Sequence, residues 1–435
     1  MKNILLISYY FPPYNHPGIQ RVLKFAKFLP LFGYHPIVFT CGNMPWRWYD
    51  HEIYNSEVKD RIEVHKADAP RFDSSKKFLF PSRWLNKLIL RLEALLFEDR
   101  LDWAFGVRKE ALNLVKSKNI ELAFSTGPPQ SVHFLGYHIK KKAGIPWVID
   151  FRDPFVKYTP ELESKKIKEF TLELKKKTLF PVYERTWIRE ASFVTAVTEP
   201  ITEYFKSVYP EAATRITTIA NGYDEQDFIG VIPNKGVETK FTIAYTGRFW
   251  RSVNPIDFLE GLKIALKHNL SLREELKVIF VGEYYKKHLE LMNSPEFHGT
   301  VETPGGVDHR DAISYQTGSD ANLLIISAPE EKGGKYIFTG KIFEYLRAGR
   351  PILAIVPKGI AWDFVEKNRL GYTVLPENHE GIARAILALY KKWKNNSLQS
   401  FKAPKALLEQ YERQNLTKRL AEVFDGCLSQ NENEQ

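Results

Sequence analysis

One helical segment of the sequence carries residues that can hold a nucleotide. It opens with Thr339, Gly340 and Lys341, and Glu344 follows one turn later. A glycine at the start of a helix leaves backbone N–H groups free to meet a diphosphate, whose negative charge the helix dipole favours. Glu344 can accept hydrogen bonds from both hydroxyl groups of a ribose. The alternative, more common for an isolated glutamate, is an amphipathic helix whose carboxylate is solvated.

A positively charged residue follows a predicted strand in the same half of the chain. The apolar run 241–246 leads into Gly247 and Arg248. A guanidinium at such a strand end can bridge phosphate oxygens while a leaving group gains negative charge. Arg248 is therefore the candidate electrostatic catalyst. A surface salt bridge at the end of the strand is the alternative.

In the first half of the chain, two carboxylates surround an arginine at the end of another predicted strand. Asp150, Arg152 and Asp153 can bind and activate an acceptor, with Asp153 as the base and Arg152 as a phosphate contact. They can instead form a structural ion pair. Gly18 follows the opening strand where a side chain would block an approaching ligand, or it is a plain turn glycine. A lone His133 is more often packed or solvated than catalytic.

Short apolar runs alternate with longer helical patterns, which is typical of a parallel sheet flanked by helices. In the first half the predicted strands are 3–7, 36–40, 62–65, 122–125, 147–151, 193–197 and 216–220, and the helices include 20–32, 131–143 and 201–207. In the second half the predicted strands are 241–246, 277–281, 321–326 and 351–356.

A turn-rich passage at 230–236 separates the two series, and 435 residues are too many for one core. We therefore expect an α/β protein with two doubly wound, Rossmann-like domains facing a central cleft, with ligands beyond the carboxyl ends of the strands. The predicted domains are 1–224 and 225–408. Residues 409–435 are predicted to form a helix that returns to the first domain, with a frayed tail from 429.

The formal net charge of +10 belongs to the first half. Residues 1–220 hold 34 Lys and Arg against 24 Asp and Glu, while the rest holds 28 of each. One-sided basic charge indicates an anionic partner. At 78–105 large apolar residues alternate with basic ones at near-helical spacing. This pattern predicts either a helix that lies on an anionic membrane or a helix that packs in the core, with about equal weight. Segment 46–48 and lysine runs at 140–142 and 175–177 can extend that surface. No nucleic-acid recognition motif accompanies the charge, so no nucleic-acid partner is expected.

The two cysteines, Cys41 and Cys427, lie far apart in the sequence. This spacing gives no basis for a disulfide framework or a cysteine metal site, and it favours a reducing cytoplasm. No run of about 18 apolar residues occurs, so a membrane-spanning helix is not expected. We expect a cytoplasmic protein, peripheral on the inner face of the cell membrane.

Several motifs, in this order and spacing, resemble glycosyltransferase family 4 of the GT-B fold over almost the whole chain. The similar segments are 12–13, 17–18, 21, 26–27, 33–35, 150–154, 195–199, 221–224, 246–248, 281–283 and 339–353. The resemblance implies a nucleoside-diphosphate sugar as donor, retention of anomeric configuration, and neither a metal ion nor another cofactor. The donor-binding residues that it implies are Gly18, Gly247, Arg251, Gly282, Lys335, Thr339, Gly340, Lys341 and Glu344.

The sequence departs from the family pattern at two positions. Val253 stands where the family usually has a lysine, and Arg251 or Lys335 can supply that charge instead. Tyr336 stands where an acidic residue usually contacts the donor sugar, eight positions before the helix glutamate. Glu331, in the loop 327–335, can take over as a catalytic carboxylate, or that loop is simply solvated.

The sequence therefore predicts a retaining glycosyltransferase of the hexosyl or N-acetylhexosaminyl type. Its expected donor is a UDP-sugar, and its expected acceptor is a lipid-linked glycan or polysaccharide in bacterial cell-surface glycan synthesis. Two alternatives remain: a sugar-nucleotide epimerase of the same architecture, and a non-catalytic relative that binds a membrane or a partner.

Overall fold

The computed structural model describes residues 1–14, 16, 18–44, 49, 51–68, 100–153, 177–234, 239–249, 253–330 and 333–434. The chain forms two compact units: Met1–Ala220 with Arg413–Gln435, and Asn221–Glu412. Each boundary lies four residues from the predicted one, at 220 against 224 and at 412 against 408. The shift arises because Tyr223 packs within the second unit, where its N–H donates to the Tyr411 carbonyl at 3.1 Å.

The first unit is built on a seven-stranded parallel sheet in the order β3-β2-β1-β4-β5-β6-β7. Its central strands are apolar and buried on both faces, as a sheet covered by helices requires. The strands are β1 (Lys2–Ile7), β2 (Tyr34–Cys41), β3 (Glu63–Ala67), β4 (Leu122–Thr126), β5 (Trp147–Phe151), β6 (Phe193–Ala196) and β7 (Ile216–Thr218).

The helices of the first unit include one from the far end of the chain. They are Ile19–Phe28, Leu101–Gly106, Arg108–Ser117, Val132–Ala143, Leu179–Glu190, Glu199–Val208 and Arg413–Glu434, with short helical turns at Leu29–Phe32, His51–Ile53, Tyr54–Val58 and Pro210–Arg215. The last helix is anchored where the Tyr34 hydroxyl donates to Asp425 at 2.6 Å and the ring of Phe424 meets Phe124. It continues through the segment that was predicted to fray, because 429–434 contains neither glycine nor proline.

The second unit is built on a six-stranded parallel sheet in the order β10-β9-β8-β11-β12-β13. The strands are β8 (Phe241–Thr246), β9 (Leu276–Val281), β10 (Val301–Gly305), β11 (Ala321–Ile325), β12 (Ile352–Ile355) and β13 (Gly371–Val374). The helices are Ile256–His268, Leu272–Glu275, Lys286–Met292, His309–Gly318, Lys341–Ala348, Ile360–Lys367, His379–Lys394 and Lys405–Gln410, with short turns at Glu225–Asp227, Pro295–Phe297, Gly334–Tyr336 and Leu398–Phe401.

Both sheets reverse their strand order at one point, between β1 and β4 in the first unit and between β8 and β11 in the second. Helices leave such a point toward opposite faces of the sheet, and a crevice opens beyond the carboxyl ends of the strands. Most of the residues singled out from the sequence follow these strands. The fold therefore brings them to the edge of each sheet where α/β proteins bind ligands.

Candidate active site

Two glycines close neighbouring strands of the second sheet. Gly247 follows β8 with φ +127°, and Gly282 follows β9 with φ +156°. The Gly247 N–H donates to the carbonyl of Val281 at 2.8 Å. A Cβ on Gly282 would lie 2.1 Å from the Gly247 carbonyl oxygen, so a side chain cannot fit between these strand ends. The two glycines thus allow the backbone of β8 and β9 to stay in contact up to the crevice.

Arg248 lies immediately beyond β8 and forms an exposed ion pair. Its Nη2 is 3.0 Å from Oε2 of Glu283, and the two side chains are 36% and 51% exposed. Such a pair contributes only about 0–1 kcal/mol, since water screens both charges. An anionic ligand can therefore replace Glu283 at Arg248 at little cost.

Lys341 joins the start of its helix to the end of β8. Its Nζ donates to the Tyr245 hydroxyl at 2.9 Å and lies 4.4 Å from the centre of that ring. A Cβ on Gly247 would be 2.3 Å from the same Nζ, so the glycine also makes room for the lysine. Burial lowers the pKa of Lys341, although Tyr345 and Glu344 oppose this.

The helix Lys341–Ala348, called the Glu344 helix below, begins in open surroundings. Gly340 has ordinary helical dihedral angles, φ −59° and ψ −29°, so its backbone conformation does not require a glycine. What distinguishes it from other residues at this position is the absence of a side chain. Apart from Gly340, its two chain neighbours and the backbone of its own helix, no atom of the described residues lies within 4 Å of the position that a Cβ would take there. The neighbouring Thr339 has a buried hydroxyl oxygen that finds no hydrogen-bond partner in the described part of the chain. The N–H groups of Ile342 and Phe343 donate to the carbonyls of Thr339 and Gly340 at 3.3 and 3.2 Å, whereas those of Gly340 and Lys341 have no acceptor in the described part of the chain and are left for a ligand.

Glu344 is held by two residues of the helix His309–Gly318, called the Gln316 helix below. Its Oε1 lies 3.0 Å from Nε2 of His309, and its Oε2 accepts from Nε2 of Gln316 at 2.9 Å. The same Gln316 nitrogen donates to the Thr246 hydroxyl at 3.0 Å, which ties the network to β8. Burial alone would raise the pKa of Glu344, but hydrogen bonds from His309 and Gln316 and the charge of Lys341 bring it below its ordinary value. Glu344 is therefore a fixed carboxylate, one quarter exposed.

Sequence reasoning missed both partners of Glu344. His309 and Gln316 are seven positions apart, so they fall on one face of their helix. That spacing was a signal that the two residues share a neighbour, but it did not reveal which one.

The structure brings the main predicted donor residues together within the second unit. Lys341 contacts Gly247, which precedes Arg248, and Gln316 links Thr246 to Glu344. Arg248, the open helix start and Glu344 thus share the carboxyl edge of β8. The arrangement offers two cations, free N–H groups and a carboxylate one turn away.

Lys335, another predicted donor residue, contacts a different part of the second unit. Lys335 and Tyr336 belong to the turn Gly334–Tyr336, where the Lys335 ammonium lies 5.4 Å from the Tyr336 ring. This turn packs on Gly359, since a Cβ there would be 2.4 Å from the Lys335 backbone. Arg251 and Glu331 lie outside the described residues, and their assignments stay predictions.

Asp150, at the end of β5, is fully buried and saturated with hydrogen bonds. Arg21 binds it through two nitrogens, at 2.7 and 2.9 Å, and the hydroxyls of Thr126 and Thr195 donate at 2.6 and 2.7 Å. Burial would raise the pKa of Asp150, but the charge and hydrogen bonds of Arg21 lower it below its ordinary value. Four donors fill the lone pairs of a carboxylate. Asp150 thus forms a buried ion pair with Arg21, a partner that sequence reasoning missed, and its assignment to acceptor binding stays a prediction.

Arg152 and Gly18 meet at the carboxyl edge of the first sheet. Arg152 donates from Nη1 to the Gly18 carbonyl and from Nε to the Thr126 hydroxyl at 3.1 Å, while its buried Nη2 has no partner in the described ranges. A Cβ on Gly18 would lie 2.9 Å from Arg152 Nη1 and 3.0 Å from Nδ1 of His16. Burial and the Arg152 charge lower the pKa of His16 to about 4, so its ring is neutral at pH 7. The unmatched Nη2 is a donor that a bound anion would satisfy.

Asp153 and His133 differ in what surrounds them. Asp153 is half-buried, and burial raises its pKa to about 6 against the opposing charge of Arg152. His133 is fully buried, with Nδ1 2.9 Å from the Ser125 hydroxyl and Nε2 2.8 Å from the Gln130 side chain. Burial lowers its pKa to about 3. His133 is thus a packed, neutral side chain, as its isolated position in the sequence favoured.

Most of the predicted membrane surface lies outside the described residues, namely 78–99, 46–48 and 175–176. Of the segment 78–105, the described end 101–105 includes Trp103, which is fully buried in the core of the first unit. In the run 140–142, Lys140 donates to the Ser192 hydroxyl at 3.0 Å and Lys141 pairs with Glu190. Among the helices of the described ranges, none is long and apolar enough to cross a membrane. The same ranges contain no group of three or more His, Cys, Asp or Glu able to hold a metal ion.

Comparisons with known proteins agree with this architecture. Residues 240–392, most of the second unit, match the family model described as glycosyl transferases group 1. Similar solved structures include a glycosyltransferase from Rickettsia africae, with a TM-score of 0.64, 15% identity and 98% of each chain covered. Anabaena HepE in complex with UDP and glucose has a TM-score of 0.59 and 16% identity over 97% of this chain and 99% of that chain. WaaG, a glycosyltransferase involved in lipopolysaccharide biosynthesis, has a TM-score of 0.57 and 14% identity over 97% and 99%.

A search of curated proteins finds no match. At these identities the solved structures establish the fold, and the family match establishes the kind of chemistry. The chain has the GT-B fold, its second unit carries a glycosyl transferases group 1 domain, and the protein is a glycosyltransferase.

Proposed function

We propose that this glycosyltransferase moves a sugar, with retention of anomeric configuration, from a UDP-sugar to a lipid-linked or polysaccharide acceptor in bacterial cell-surface glycan synthesis. One observation carries the proposal: Arg248, Lys341, the open start of the Glu344 helix and Glu344 meet at one strand edge. Cations and free N–H groups suit a diphosphate, and the nearby carboxylate suits the ribose hydroxyls. The choice of UDP follows HepE, whose structure holds UDP and glucose.

The donor half of the reaction depends on charge stabilisation. When the bond between the sugar and the diphosphate breaks, the electron pair stays on the phosphate oxygen. Arg248 and the N–H groups of Gly340 and Lys341 are fixed before the reaction, so they stabilise this charge without reorganising. The scheme requires no metal ion. Transfer should therefore persist in EDTA, and a loss of activity that added Mg²⁺ or Mn²⁺ restores would contradict this part of the proposal.

The acceptor half is assigned to the first unit. With a pKa of about 6, Asp153 is a carboxylate at neutral pH and can take the proton of an acceptor hydroxyl. The buried, unmatched Nη2 of Arg152 suits a phosphate on that acceptor. Phosphate is the link between glycan and lipid in the acceptor class that we propose. The positive charge of residues 1–220 supports a peripheral position on the anionic inner face of the cell membrane, with the protein in the cytoplasm.

The proposal is tested by incubating the purified protein with a panel of UDP-sugars, with and without bacterial lipid extract. Slow release of UDP from one donor, faster when lipid is present, is the expected result. Arg248→Ala should lower both rates about 10²- to 10³-fold. If none of the UDP-sugars releases UDP, the proposal is contradicted.

The same experiment separates the transferase from an epimerase of similar architecture. An epimerase converts the sugar of the nucleotide without any acceptor and leaves the UDP linkage intact, which NMR of the donor detects. We expect no such conversion.

A further inference from the structure

Lys341 places an ammonium group at the end of β8, against Gly247 and the Tyr245 hydroxyl. We propose that Lys341 supplies the second positive charge on the departing diphosphate and that the Tyr245 hydroxyl positions it. This inference rests on the proposed function, because it concerns the same donor site.

The resemblance to glycosyltransferase family 4 implies a lysine at position 253, where this chain has an apolar side chain. Val253 is partly buried and packs against the core of the second unit, so it offers nothing to a phosphate. Of the two replacements considered from the sequence, Arg251 lies outside the described residues. Lys335 lies against the Tyr336 ring in a turn that packs on Gly359.

Lys341 is fixed at the edge of β8 by contacts that leave most of its donors unused. Within the described part of the chain its one hydrogen bond is to the Tyr245 hydroxyl, and an ammonium group has three N–H donors. Tyr245 is buried and donates its own proton to the Arg248 carbonyl at 3.1 Å. The hydroxyl therefore accepts from Lys341 while its ring faces the same charge. One neutral residue thus orients the lysine toward the residue pair Gly247 and Arg248.

The position is unfavourable for a lysine unless an anion binds there. Burial disfavours the charged form, and a cation in the first turn of a helix opposes the helix dipole. The nearest acid on the same helix, Glu344, is already bound by His309 and Gln316. A diphosphate at the helix start would supply the missing negative charge and the missing acceptors. In the reaction Lys341 stabilises the phosphate oxygen that receives the electron pair from the broken sugar–oxygen bond, and no proton has to move.

The test compares Lys341→Met with the wild-type protein, using UDP and uridine as probes of binding and UDP-sugar hydrolysis as the measure of turnover. Methionine keeps the length of the side chain and removes the charge. We expect UDP affinity to fall about tenfold while uridine affinity is unchanged, and kcat for hydrolysis to fall about 100-fold. Tyr245→Phe, which keeps the ring and removes the hydroxyl, should lower kcat by a smaller factor. Lys286→Met changes a lysine that is 90% exposed in the same unit and serves as the matched control.

Thermal unfolding of the ligand-free proteins separates a catalytic role from a structural one. Removing a charge that is partly buried and makes one hydrogen bond should leave the Tm of Lys341→Met equal to or above that of the wild type. A marked fall in Tm would show that the lysine stabilises the fold and would overturn the inference. Unchanged UDP affinity and kcat in Lys341→Met would overturn it while leaving the proposed function intact. A wild-type protein that neither binds UDP nor hydrolyses any UDP-sugar would sink both.

Discussion

The carboxyl edges of the two sheets both carry an arginine paired with an acid, and the two pairs differ in almost every respect. In the first unit, Arg21 and Asp150 are 2% and 0% exposed, and four donors saturate the carboxylate. In the second unit, Arg248 and Glu283 are 36% and 51% exposed and form an ion pair at 3.0 Å. A saturated pair has no capacity for a ligand, whereas an exposed pair can exchange its acid for one. The first pair therefore holds the fold together, and the second is available for chemistry.

The largest expected effect is on stability, at the buried pair. Asp150→Ala leaves the Arg21 guanidinium buried without its counter-charge, which should lower the free energy of unfolding by about 3–5 kcal/mol. Urea denaturation measures this loss. Glu283→Ala, at the exposed pair, should change the same quantity by less than about 1 kcal/mol. Equal losses in the two variants would erase the distinction between the pairs.

The next effect is on catalysis, at the exposed pair. Arg248→Ala removes one preorganised charge from the leaving group, so kcat for hydrolysis or transfer should fall about 10²- to 10³-fold. The free energy of unfolding should stay within about 1 kcal/mol of the wild type, because the ion pair is solvated. A variant with normal turnover would show that Arg248 is a surface residue only.

A smaller effect is expected on donor binding, at Gln316, which orients the carboxylate of Glu344. Gln316→Leu removes the amide that holds Oε2 of Glu344, so the ribose should bind less well and KM for the donor should rise about tenfold, the value of one or two hydrogen bonds. The kcat should change little, since the amide does not touch the diphosphate charge. If KM is unchanged while kcat falls, Gln316 does not act through Glu344.

The smallest effect is on the pH dependence of activity, which we assign to Asp153 in the first unit. A base must be deprotonated, so activity should rise with pH through about 6, well above the ordinary range of an aspartate. The Arg152 charge lowers this pKa, so Arg152→Met should move this rise to higher pH. The pH profile of kcat/KM measures both values. If the kcat/KM of the wild type rises near pH 4 instead, Asp153 is not the base.

The interior of each sheet could be predicted from the sequence, and the edges of the second sheet could not. Strands β8, β9, β11 and β12 are mostly apolar and almost fully buried, as strands with both faces covered by helices require. The unpredicted strands β10 and β13 are the two edges, with sequences VETPG and GYTV that are only partly buried. A half-exposed edge strand has little need of an apolar run, so periodicity gives no signal for it.

The candidate site shows a similar limit. Strand ends and a glycine at a helix start are local features, so Arg248, Gly340 and Glu344 could be chosen from the sequence. The contact of Lys341 with Tyr245 spans 96 positions, and that of Arg21 with Asp150 spans 129. Which side chain fills the space over a glycine depends on how separate elements pack, and residue spacing does not contain that information.

A crystal structure of the protein with UDP tests the central claim most directly. The account predicts diphosphate oxygens within hydrogen-bond distance of Arg248, Lys341 and the first N–H groups of the Glu344 helix, with the ribose hydroxyls on Glu344. UDP bound away from the end of β8, or a diphosphate that touches neither cation, would contradict it.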